Sequence, residues 1–156
     1  MTELTRQDIT DIALIKGDDG IYDMEIGDDG DFVPVYGFDT SIIISLFADQ
    51  MANGEEVVES LQRRGWIGNE SSDVPGFEIG SKLWLTYQSR NNEDTRNQVV
   101  DAAKSSLLWL VEDGYLTDLN VTGSLKPEGI ELQIIFVRKS GKIDKLYFKL
   151  WENTVL

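Results

Sequence analysis

Between Ile130 and Leu150 the chain alternates apolar and polar side chains in two runs, with Ser140-Gly141 between them. Ile130, Leu132, Ile134 and Phe136 fall on one face opposite Glu131 and Gln133, and Leu146, Phe148 and Leu150 fall opposite Tyr147 and Lys149. A period of two suits a strand with one buried face, and the short Ser-Gly step suits a hairpin turn. The spacing predicts strands over Ile130 to Lys139 and Lys142 to Trp151. A third, Leu119 to Leu125, precedes them across the Lys126-Pro127-Glu128-Gly129 break. Such a sheet needs something apolar to cover its inner face.

The cover is predicted in the middle of the chain, where the period changes. Ile42, Ile43, Leu46, Phe47 and Met51 recur at spacings of three and four after Asp39 or Thr40, either of which suits a cap, and Asn53-Gly54 reads as the stop. Val99, Val100, Ala103, Leu107, Leu110 and Val111 mark a second helix, with Thr95 and Gln98 as a capping box and Asp113-Gly114 as its end. Before the helices, Ile9 to Ile15, Ile21 to Ile26 and Phe32 to Tyr36 are separated by two Gly-Asp-Asp-Gly segments ten residues apart. Asp-Gly steps accept the positive φ of tight turns, so residues 9 to 36 are predicted as a small β-meander. The expected class is α+β: an N-terminal meander, two main helices, and C-terminal antiparallel strands forming a sheet with helices packed on it. At 156 residues the chain is expected to form a single domain, 1–156.

Residues 53 to 92 are rich in Gly, Asn, Ser and Asp and read as an irregular connection. Within it Leu83, Leu85 and Tyr87 alternate like a strand, yet Leu83-Trp84-Leu85 equally suits a short helical turn, and periodicity does not arbitrate over so few residues.

Composition narrows the chemistry. With no cysteine and no histidine, thiol nucleophiles, Ser-His-Asp triads, disulfides and Cys/His zinc sites are excluded. Fourteen basic against 28 acidic residues leave a net charge of −14, without the basic footprint that nucleic acid demands. The acidic N-terminus does not read as a signal peptide, and no apolar run approaches the ~20 residues of a membrane span. A soluble product made in the cytoplasm, with no membrane or nucleic-acid partner, is the expectation.

The aspartates of the two Gly-Asp-Asp-Gly turns lack the ligand order of an EF-hand and read as solvated turns, so no metal or cofactor is expected. Glu55, Glu56, Glu59, Glu112 and Asp113 are available as a carboxylate pair for glycoside hydrolysis, but 28 acids supply such pairs by chance, and no catalytic residue is assigned. No Gly-x-x-x-x-Gly-Lys-Ser/Thr phosphate loop occurs. Of the tryptophans, Trp109 sits among leucines and reads as core, and Trp151 falls in the last strand. Trp66 and Trp84 lie in the polar connection near Arg63, Arg64 and Lys82. Aromatic and arginine side chains dominate interface hot spots. Those five residues are therefore the candidate partner interface, with loop pinning and internal ion pairing as the alternatives.

Four islands in order carry a wider likeness: Thr40 to Asp49, Arg63-Arg64-Gly65-Trp66-Ile67-Gly68-Asn69, Gly80-Ser81-Lys82-Leu83-Trp84, and Leu107 to Gly114. Over roughly residues 8 to 151 the chain resembles the phage protein 46 family of Mu-like phages and prophages, with Ile67 and Asn69 where that family more often has an aromatic residue and an aspartate. The resemblance implies a structural, non-enzymatic component of a contractile-tail baseplate. It would be present in several copies and bind other baseplate proteins and the sheath or tube, in the host cytoplasm during assembly and then in the virion tail. A lysozyme-like, peptidoglycan-cleaving activity is the alternative it leaves. A charge of −14 would repel like copies and attract basic partners, with solubility alone as the alternative, and the terminal strand offers an edge that a neighbour's strand could extend.

Overall fold

The computed structural model describes residues 11–35 and 38–150, which divide into two compact units, 1–44 and 45–156. The predicted starts and ends at Ile9, Tyr36 and Trp151 lie outside the described residues.

In the first unit, strands β1 (Asp11–Ile12), β2 (Leu14–Lys16), β3 (Tyr22–Met24) and β4 (Pro34–Val35) pair as β1 with β4 and β2 with β3. The meander thus folds back on its own first strand. At the centre the backbone N–H of Ala13 donates to Val33, that of Val33 to Glu25, and that of Glu25 to Ala13, at 2.8–2.9 Å, a closed ring of three bonds that joins all three passes of the chain. The two Gly-Asp-Asp-Gly turns are near copies. In each the first glycine N–H reaches across the turn, Gly17 to Ile21 and Gly27 to Asp31. The second carboxylate then accepts a backbone N–H, Asp19 from Ile21 and Asp29 from Asp31. Gly20 and Gly30 both sit at φ +80°, which an L side chain adopts only with strain.

Helix α1 (Asp39–Phe47) ends six residues before the predicted stop at Asn53-Gly54 and leaves Met51 outside. The cause is Ser81. Its N–H takes the Ala48 carbonyl at 2.9 Å, its side-chain hydroxyl donates to the Leu46 carbonyl, and its own carbonyl accepts from Gln50, so the chain after α1 is drawn into a parallel bridge between Asp49 and Ser81. Asn53 opens a turn instead of closing one: its side chain accepts from the N–H groups of Glu55 and Glu56, and Glu56 reaches back to the Asn53 N–H at 2.9 Å. That is a capping box around a single turn.

Helix α2 (Glu93–Leu107) begins before the predicted Thr95–Gln98 box, because Asn92 is the cap and accepts from the Thr95 N–H at 2.9 Å. Glu93 and Asp94 then lie in the first turn, where carboxylates suit the helix dipole. The helix breaks at Leu108 and continues as α3 (Trp109–Glu112), ended by Gly114 at φ +76°. Three antiparallel strands follow, β5 (Leu116–Lys126), β6 (Gly129–Arg138) and β7 (Ile143–Leu150), in the order β5-β6-β7.

Register places Ile134 opposite Val121 and Leu146, and Leu132 opposite Phe148. The predicted inner face is buried throughout β6: Ile130, Leu132, Ile134 and Phe136 are sealed from solvent with Val99, Ala103, Leu107 and Leu110 of the helices. Gly123 makes the close approach possible, since a Cβ there would stand 2.8 Å from Val100 of α2. Phe47 meets Phe148 edge-on at 5.6 Å. An antiparallel sheet covered by a helix, preceded by short strand pairs, is the expected α+β class.

Candidate interface on the 49–88 connection

The connection between α1 and α2 contains only short 3-10 turns, at Ser60–Gln62, Ile67–Ser71 and Leu83–Thr86, the last resolving the ambiguity over Leu83-Trp84-Leu85 in favour of the helical turn. Its shape is held by side chains bonded to backbone. Arg63 donates from Nε to the Val57 carbonyl at 2.8 Å and from Nη2 to that of Val58 at 3.0 Å, while its own carbonyl accepts from Ala52. Asn69 makes two hydrogen bonds with Ile79, donating to its carbonyl at 2.9 Å and accepting from its N–H at 2.8 Å. Trp109 closes the far end, edge-on to Phe77 and Tyr115 and bonded through Nε1 to the Ser45 hydroxyl.

Arg64, Trp84 and Asp49 come together. Trp84 donates its indole N–H to the Gln50 carbonyl at 2.8 Å, and the Arg64 guanidinium lies over its ring at 4.9 Å while pairing with Asp49 at 3.2 Å. Arg64 occupies the left-handed region at φ 52° and is followed by Gly65 at φ 120°, a tight reversal that a side chain tolerates only when other contacts hold it. Partial burial and the Asp49 charge push the Tyr87 hydroxyl above its usual range, with Arg64 acting in the opposite sense.

Lys82 is turned to the other end of the connection, where its ammonium bonds both oxygens of Glu56 at 2.8–2.9 Å. That bond first, and the Asn53 N–H second, hold the Glu56 carboxyl below its ordinary value. Of the five residues named from sequence, Arg63 and Lys82 are thus bound up in shaping the connection, Arg64 and Trp84 form one stack, and Trp66 stands apart. Its ring folds over Gly68, where any Cβ would run into it, and it remains 47% exposed.

The segment that carries Trp66 displays further apolar side chains: Leu61 at 99% exposure, Val58 at 83%, Ile67 at 79% and Val74 at 59%. Isolated exposed apolar residues are ordinary. Five stand exposed on one irregular segment of 17 residues, which the Arg63 and Asn69 bonds stiffen. The signal in the sequence was the apolar residues scattered through a polar stretch with no period to explain them. Among the described residues no group of three or more acidic side chains is placed to hold a metal ion, and Glu56, one of the candidate acids, is committed to Lys82.

Comparison with known proteins gives these features a context. The chain is 31% identical over 155 residues to the baseplate protein gp46 of Escherichia phage Mu, covering 94% of this chain and all of that protein. It is 32% identical over 110 residues to the Mu-like prophage FluMu protein gp46 of Haemophilus influenzae, covering 70% of this chain and 74% of that one. The family described as Phage protein GP46 matches residues 38–143, from the start of α1 to the start of β7, and the chain belongs to that family.

Proposed function

We propose that this chain is a structural component of the baseplate of a contractile phage tail or of a prophage-derived tail, binding other baseplate proteins and the sheath or tube without making or breaking a covalent bond. The carrying observation is the relation to the Mu baseplate protein, which runs along that protein's whole length. The exposed apolar group at Val58, Leu61, Trp66, Ile67 and Val74 supports a docking role for the connection, with Arg64 and Trp84 as its polar and aromatic rim and Arg63 and Lys82 holding its form. Such a surface gains affinity by burying side chains that are already fixed in place.

The test is a phage carrying a stop codon in this gene. Tails that arrest before sheath assembly, rescued by the wild-type chain and not by Trp66→Ala, support the reading; complete infectious tails refute it. Purified protein on a peptidoglycan zymogram should leave no cleared band, and clearing abolished by one Glu or Asp substitution would replace the structural reading with the enzymatic one. The two compact units are proposed to act as one domain, residues 1–156, and a single calorimetric transition should show it; two separate transitions would reject it.

A further inference from the structure

The N-terminal unit presents an apolar sheet face of its own. Tyr22, Met24 and Ile26 alternate along one pass of the chain, Met24 pairs with Leu14, and Ile26 pairs with Phe32. Alternation puts these side chains on one side of the pleat, and Tyr22, Met24, Ile26 and Phe32 are between 45% and 64% exposed. The ring of bonds among Ala13, Glu25 and Val33 already uses backbone groups at the strand junction, so the side-chain face is what a partner would meet.

We propose that this face docks a basic protein surface carrying apolar side chains. Charge selects the occupant. Residues 1–44 hold eleven of the 28 acidic residues and two of the fourteen basic ones, a net −9 out of −14 in little more than a quarter of the chain. A second copy would bring the same negative rim to the contact and be repelled; a lysine- or arginine-bearing partner gains attraction and a faster encounter. The face lies outside the segment matched by the family, which starts at residue 38, while the relation to the Mu protein covers 94% of the chain; the proposal rests on the baseplate reading and names the chemistry of one partner.

Two full-length variants test it. Asp18→Lys with Asp28→Lys alters the rim and leaves both turns their Asp19 and Asp29 bonds; Met24→Ser with Ile26→Ser alters the face. The probes are twelve-residue peptides of alternating Lys and Leu and of alternating Glu and Leu, at physiological salt. The wild-type chain is expected to bind the Lys-Leu peptide alone, each double variant to bind it at least tenfold more weakly while keeping the wild-type circular dichroism, and Ser105→Ala, at an exposed position of α2, to bind it unchanged. Equal binding by either folded double variant overturns the proposal. In assembled tails, a photo-crosslinker at Ile26 is expected to capture a basic segment of a different protein; capture of this chain, from the same or another copy, overturns it. Should the chain be missing from tails altogether, the baseplate reading fails and the peptide comparison still judges the face.

Discussion

The three-stranded sheet and the connection at 49–88 belong to the same compact unit and are built on opposite principles. In the sheet, β6 runs through the middle with a continuous buried apolar row, and β5 and β7 flank it antiparallel, β5 with one register shift between Leu116 and Asp118. In the connection, no row exists. Backbone is tied by Arg63, Asn69 and Ser81 side chains, and Val58, Leu61, Trp66, Ile67 and Val74 stand exposed while Leu83 is buried. One region spends its hydrophobic residues on its own stability, and the other holds them in fixed positions on the surface. The difference separates a buried frame from an exposed surface tied by side-chain bonds, and it should be measurable residue by residue.

The largest effect is expected where the frame is densest. Phe136→Ala removes a fully buried ring from the central strand and should cost about 3–5 kcal/mol in denaturant unfolding. Leu61→Ala, at almost complete exposure in the connection, should change stability by no more than about 0.5 kcal/mol. A comparable loss at both positions would erase the distinction between frame and surface.

Next comes the joint between the two regions. Gly80 sits at φ +112°, and a Cβ there would stand 2.5 Å from the Ala48 carbonyl oxygen. Gly80→Ala must distort the bridge that ends α1, at a cost of about 1–3 kcal/mol from backbone strain. Loss of stability without loss of the sheet's protection in amide exchange would locate the damage in the connection. Unchanged stability would mean that the Ser81 bonds do not fix the chain after α1.

Within the connection, Asn69→Ala deletes both bonds to Ile79 and should cost about 1–2 kcal/mol, with exchange protection lost around Ile79 and kept in β6. Asn69 also shows what a sequence can and cannot disclose. The sheet was legible because burial on one face imposes a period of two, and α2 because its apolar stripe recurs at three and four. The turns were legible because Gly20 and Gly30 meet a conformational demand few residues satisfy. Side-chain-to-backbone bonds impose no period. Ser81, thirty-five residues from Leu46, ended α1 early, and nothing local announced it. The start of α2 was misplaced at Thr95 for a different reason: several polar residues near that end could serve as the cap, and the choice is made by which one the packed stripe brings into line. The five interface candidates were visible as residue types. The exposed apolar side chains beside them became visible only once burial was known.

The smallest effect concerns pH, and it divides the two regions cleanly. Glu56 is held ionised by Lys82 and the Asn53 N–H, so its carboxyl titrates below its ordinary value of 4.5 in the folded chain. A depressed carboxyl contributes stability that is present in full above the unfolded value and is lost as pH falls through the folded one. The increment should therefore decline only below about pH 4.5. Because both partners are about one third exposed, its size should stay under about 1 kcal/mol and shrink in high salt. Glu56→Gln should reduce stability slightly at neutral pH and flatten the acid limb of the stability curve, and Phe136→Ala should lower the curve without changing that limb. If Glu56→Gln leaves the acid limb as steep as before, the Lys82–Glu56 contact does not hold the connection, and its shape must rest on the Arg63 and Asn69 bonds alone.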